Sequence, residues 1–123
     1  MKRMMILIAG PVRSGTGGSL ARIKENLASL EQAALAVYYT GHTPVIGEWL
    51  ALPLAHTAGS TRIGDDISEA FLYPVAHRLI GHCDAILRLP GASAGADNDV
   101  RIGQSLGLTL FTRIEEIPRL SEA

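Results

Sequence analysis

Apolar positions fall into short continuous runs and helical stripes that alternate along the chain. Met4 to Ala9 is an unbroken apolar run stopped by Gly10-Pro11, as expected of a strand buried on both faces. Ser19 is a suitable N-cap. After it Leu20, Ile23, Leu27, Leu30, Ala34 and Val37 recur at helical spacing until Gly41. Thr43 to Gly47 reads as a short second strand. Glu48 to Gly64 follows neither period: "EWLALPLA" is apolar and "HTAGSTRIG" is loop-like, so it reads as a long connection that serves as a lid, a binding loop or an interface. Asp65 or Asp66 caps a second helix through Ile67, Phe71, Val75 and Leu79, which Pro74 is expected to bend or divide.

Ala85 to Leu89 reads as a third strand, ended by Pro90-Gly91 and a loop "ASAGADND". A third helix is expected from about Asp97 to Leu106, with Gly107 as its stop. Leu108 to Phe111 is a fourth strand, and a short helix is expected near Ile114. This alternation predicts one α/β domain: a Rossmann-like, flavodoxin-like three-layer fold with a parallel sheet of four or five strands. In the order 2-1-3-4 the chain reverses between strands 1 and 3. Ligands bind outside the carboxyl ends of strands at such a reversal. The two most glycine-rich loops, "GPVRSGTGG" and "PGASAGADND", lie there.

Composition narrows the classes. The 123 residues suit one domain, 47% are apolar, and the net charge is -1, which gives no support to nucleic-acid or membrane-surface binding. The single cysteine, Cys83, makes no internal disulfide and reads as a buried apolar residue of a cytoplasmic protein. The N-terminal apolar run is shorter than the roughly 7–15 residues of a signal-peptide core.

The first loop is neither a P-loop nor a GxGxxG fingerprint, because Gly15 and not a lysine directly precedes Thr16, and Leu20 stands where the third glycine after Gly15 and Gly17 would fall. Its free N–H groups, Arg13 and the hydroxyls of Ser14, Thr16 and Ser19 still suit an anion. The alternative is a turn whose glycines serve only the backbone. Asp97 and Asp99 read either as caps of the third helix or, for one of them, as a carboxylate at the mouth of the crevice. Asp84, just before strand 3, reads as structural. His42, His56, His77 and His82 show no metal-ligand spacing, and no GxSxG elbow is present. Glu48 and Trp49 read as packing or contact residues, or Trp49 as an aromatic wall for a flat base.

Three stretches, "MILIAGPVRSGTGG", "AALAVYYTGHTPVIGEWLALPL" and "CDAILRLPGASAGADNDVRIGQSLGLTLF", resemble the DUF4406 branch of the nucleoside 2-deoxyribosyltransferase-like superfamily over Met5 to Phe111. The resemblance implies a nucleoside or nucleotide ligand, no metal or redox cofactor, and a homodimer or larger assembly. It places Gly10, Pro11, Arg13, Ser14 and Gly15 at the sugar or phosphate. With them it groups Trp49, Gly91, Ser93, Gly95 and Asp97 as substrate-binding positions. The family's nucleophilic glutamate falls on Asp99, one methylene shorter. The family's proton-donating aspartate falls near Ala76 or His77, where this chain has no carboxylate. The expected activity is N-glycosidic bond cleavage or transfer through Asp99. Its alternative is a non-catalytic nucleotide-binding module.

Overall fold

The computed structural model describes residues 2–120. Strand β1 (Met5–Ala9) leads through the glycine loop into helix α1 (Leu20–Tyr39), and β2 (Thr43–Val45) follows. Helices α2 (Gly47–Thr57) and α3 (Asp66–Ile80) precede β3 (Ala85–Arg88). Helix α4 (Ala94–Ser105), β4 (Thr109–Phe111) and a 3₁₀ turn (Ile114–Glu116) complete the fold. The sheet is wholly parallel with order β2-β1-β3-β4. This is a Rossmann-like α/β sandwich, and the chain reverses between β1 and β3 as the alternation of elements requires.

Both faces of the central strands are covered. Ile6 and Ile8 pack with Leu30, Ala34 and Val37 of α1 on one side, together with Leu87 and Phe111. Leu7, Ala9 and Ile86 pack with Ile80 and Ala96 from α3 and α4 on the other. Burying a side chain of this size stabilises a fold by about 1.5–3 kcal/mol. Their alternation therefore fixes the register of β1 against β3.

Three boundaries differ from the sequence reading. The stretch read as a connection from Glu48 begins instead with a regular helix, α2, despite Pro53 in its interior. A missing N–H at Pro53 is tolerated because α2 is held by extensive packing on α3. Helix α3 likewise runs through Pro74 as one undivided helix, capped by Asp65, whose side chain accepts from Ser68 N–H at 2.8 Å. Helix α4 starts three residues before Asp97. Ser93 is its cap, accepting from Ala96 N–H at 3.1 Å, so neither Asp97 nor Asp99 caps the helix.

Two polar side chains stitch the sheet's amino edge. Asp84 accepts from Met5 N–H at 2.9 Å and continues the β1–β3 pairing by one bond, the structural role expected of it. His42 is buried, accepts from Met4 N–H at 3.0 Å through Nδ1, and lies 2.7 Å through Nε2 from Pro118 O. The second contact makes Nε2 the protonated nitrogen. Cys83 is buried and free, and burial pushes its thiol up to about 11, as suits an inert apolar role.

Candidate functional site

The loop after β1 builds its own shape before any ligand is considered. Thr16 is buried, donates to Arg13 O at 2.6 Å and accepts from Gly18 N–H at 3.3 Å. Asn26 of α1 donates to Val12 O at 2.9 Å. Gly15, Gly17 and Gly18 all have positive φ (71°, 60° and 81°), which no other residue type would adopt without strain. The Ser19 hydroxyl accepts from Arg22 N–H, closing the first turn of α1. Thr16 and Ser19, two of the hydroxyls counted as ligand groups, are thus occupied by backbone.

The loop after β3 docks against the first. Gly91 has φ 113°, and a Cβ there would lie 2.8 Å from Pro11 Cγ. A Cβ on Gly10 would meet Leu89 Cβ at 3.1 Å. These glycines therefore serve close approach of the two loops. Arg88 braces the second loop from below, donating to Gly91 O at 3.0 Å and pairing with Asp97 at 2.9 Å.

Between the loops a cleft of about 110 Å³ opens at the carboxyl ends of β1 and β3. Among its lining residues are Gly10, Arg13 and Ser14 from the first loop, Ser93, Gly95 and Asp99 from the second loop and α4, and Glu48 from α2. Helix α3 supplies Leu72, Tyr73 and Ala76 as the far wall. A Cβ on Gly47 would sit 3.4 Å from Ala76 Cβ, and one on Gly95 3.5 Å from Tyr73. Small residues at 47, 76 and 95 let α2, α3 and α4 converge on the cleft.

Of the sequence-predicted positions, Gly10, Arg13, Ser14, Ser93, Gly95 and Asp99 line this cleft. Pro11, Gly15 and Gly91 line a shallower outer groove that Ser14 and Ser93 share. Trp49 and Asp97 lie in neither. The Trp49 indole N–H donates to Glu31 of α1 at 3.0 Å, and consecutive residues on a helix point about 100° apart, so Trp49 turns away as Glu48 turns in. Asp97 is drawn to Arg88.

Glu48, read from the sequence only as a packing or contact residue, lines the cleft. Its signal was an acidic side chain directly after a strand's carboxyl end, where α/β ligands bind. Glu48 and Asp99 are both half-buried and repel each other. Burial first, then the Glu48 charge, raises the Asp99 carboxyl to about 7, against a smaller opposing pull from Arg88. Burial also raises Glu48, opposed by its own backbone N–H and by Arg13. Two facing carboxyls with raised affinity for protons form a coupled pair that keeps one proton up to near neutral pH.

Arg13 connects this pair to α3. It is ion-paired with Glu69, and its Nη2 lies 3.5 Å from the Tyr73 hydroxyl. His77 accepts from the Asn98 amide at 3.2 Å, which links α3 to α4 beside the cleft. Among the described residues no three His, Cys, Asp or Glu side chains gather closely enough to hold a metal ion, and no helix is long and apolar enough to cross a membrane. No protein-family model matches the chain, and no curated protein matches it.

Proposed function

We propose that the cleft binds a nucleoside or nucleotide and that Asp99 and Glu48 cleave or transfer its N-glycosidic bond. The carboxylate pair at the carboxyl ends of β1 and β3 carries this reading; the choice of ligand rests on the resemblance of the two loops. In the proposed reaction the pair's single proton, which resides mainly on Asp99 near neutral pH, passes to Glu48, and Asp99, now ionised, attacks the anomeric carbon. The C–N bond breaks, its electron pair leaves with the base, and the base takes the proton held by Glu48. Water then opens the glycosyl ester while Glu48 accepts the water's proton, which yields hydrolysis. An incoming base in place of water yields transfer.

Glu48 also bears on what the chain lacks. In the resembled family the proton comes from an aspartate in the helix before strand 3, and that place is Ala76 or His77 here. Ala76 lines the same cleft as Glu48, and Gly47 packs on it. The acid is supplied from α2 instead of α3. The test is incubation with a panel of nucleosides and their 5′-monophosphates, with chromatography of free base as the readout. Base release from at least one is expected, and none from any of them refutes the catalytic reading.

The protonation of Asp99 near neutral pH favours a second reading, a non-catalytic nucleotide-binding module. A protonated Asp99 is a weak nucleophile and a good hydrogen-bond donor to a ligand hydroxyl. Ligand binding without product in the same panel selects it.

Arg13 is the cation of the cleft's first loop, and we assign it the sugar or 5′-phosphate end of the ligand. Nucleotides are expected to bind more tightly than nucleosides, and Arg13→Ala to remove most of the difference. One charged hydrogen bond is worth about 1.5–3 kcal/mol, roughly 10- to 150-fold. Equal affinities in the parent, measured by calorimetry, refute a phosphate at Arg13.

Helix α2 exposes Trp49, Leu50 and Leu54, at 41%, 48% and 50% of their full surface. We propose that a second copy covers this face in a homodimer or larger assembly. Light scattering at micromolar concentration is expected to give at least twice the 13.1 kDa chain mass, and Leu54→Glu to lower it. A monomer in the parent refutes the assembly.

A further inference from the structure

A second cavity of about 220 Å³ shares Arg13 with the cleft but is lined by neither Glu48 nor Asp99. It is walled by Arg13, Thr16 and Gly18 of the first loop and by Arg62, Ile63 and Gly64 of the connection between α2 and α3. Arg13 lines both spaces, so the two adjoin at its side chain. A Cβ on Gly64 would meet Arg13 Cδ at 3.5 Å, which shows how closely the two loops enclose the arginine.

The two arginines differ in their partners. Arg13 shares its charge with Glu69, so a dianion bound at Arg13 calls for a second cation. Arg62 has no carboxylate within ion-pair distance among the described residues. Its backbone is nonetheless fixed. Asp65 accepts from Thr61 N–H at 2.9 Å, from Arg62 N–H at 3.3 Å and from the Ser60 hydroxyl at 2.7 Å. Together with the cap bond to Ser68, these donors hold the Asp65 carboxyl well below the usual carboxylate range. The connection is therefore held in shape by a carboxylate whose oxygens are already used, while the Arg62 side chain stays available.

We propose that this second cavity receives a phosphate group of the ligand, held between Arg62 and Arg13, and that Arg62 sets the preference for phosphorylated over unphosphorylated ligands. A guanidinium offers a planar fork that matches two phosphate oxygens, and a dianion compensates for the share of Arg13 taken by Glu69. Ile23 and Ile63 line the same cavity beside the arginines. The proposal deepens the reading of the carboxylate cleft as the site of the sugar and base.

The experiment is calorimetry of the full chain with three probes: inorganic phosphate, a nucleoside, and its 5′-monophosphate. The parent is expected to bind the monophosphate at least about 10-fold more tightly than the nucleoside. Arg62→Gln is expected to remove at least that factor for the monophosphate and to weaken inorganic phosphate, while leaving nucleoside affinity and melting temperature unchanged. Arg62→Lys, which keeps charge but loses the fork, is expected to recover part of it. Unchanged monophosphate affinity in Arg62→Gln overturns the proposal, whatever the nucleoside does. Phosphate binding that depends on Arg62 without any nucleoside binding upholds the cavity and overturns the nucleoside reading of the cleft.

Discussion

Asp99→Ala is expected to abolish base release, a loss on the order of 10⁴-fold, while ligand affinity changes little. Removing a nucleophile commonly costs this much when no other group can form the covalent intermediate. Asp99→Asn should be as inactive, because an amide neither attacks nor ionises. Asp99→Glu restores the resembled family's side chain. It is expected to raise turnover, by up to about 100-fold if the missing methylene now holds the carboxylate short of the anomeric carbon. Melting curves give an independent readout. Asp99 holds its proton more tightly in the folded protein, to about 7, than in the unfolded chain, at about 4. Its contribution to stability is therefore fully present below pH 4 and is lost as pH rises through about 7. Asp99→Asn, which cannot ionise, is expected to melt higher than the parent at pH 8 and close to it at low pH. Full activity in Asp99→Asn would show that another group attacks. A lower melting temperature at pH 8 would show that Asp99 is not a buried acid.

Glu48→Gln carries the second large effect. As proton donor to the leaving base, Glu48 is expected to contribute about 10²–10⁴-fold to the rate. The substitution also removes a negative charge that raises Asp99. Because the reaction needs one proton on the pair, the basic limb of the parent's pH–rate profile should fall through about pH 7, where the pair loses it. In Glu48→Gln, where only Asp99 titrates, the residual rate should instead rise with pH through the ionisation of Asp99, at a lower pH than in the parent because the Glu48 charge is gone while burial remains. A base with a good leaving group, needing no proton, should lose little rate in the same variant. A slower rate with an unmoved limb would separate the two carboxyls and dissolve the pair.

The sheet's centre was legible because β1 and β3 are buried on both faces and so appear as unbroken apolar runs. Helix α2 was not. It starts directly after β2 without a side-chain cap on Ile46, contains Pro53, and is apolar on most of its faces, so neither the helical period nor a start signal stands out. Because α2 went unread, so did Glu48. Arg13, Ser14 and Asp99 were accessible from loop composition and from the resemblance, since both act on residues next to the strand ends. Tyr73 and Leu72 were hidden for a different reason. They belong to a helix read for its core stripe, and only the approach of Gly95 and Gly47 to α3 turns that helix into a wall of the cleft. Trp49 illustrates the limit of adjacency: one step along a helix changes which side of the molecule a residue serves.

The imidazole of His42 has a consequence for the chain as a polymer. It joins the backbone at residue 4 to the backbone at residue 118, and Leu120 N–H reaches Thr40 O at 2.8 Å beside it. One neutral ring thereby closes a loop of more than a hundred residues, the kind of long-range closure for which the entropic cost grows only slowly with length. The first strand and the final segment are thus a single mechanical unit. Fraying of either segment is therefore expected to loosen the other.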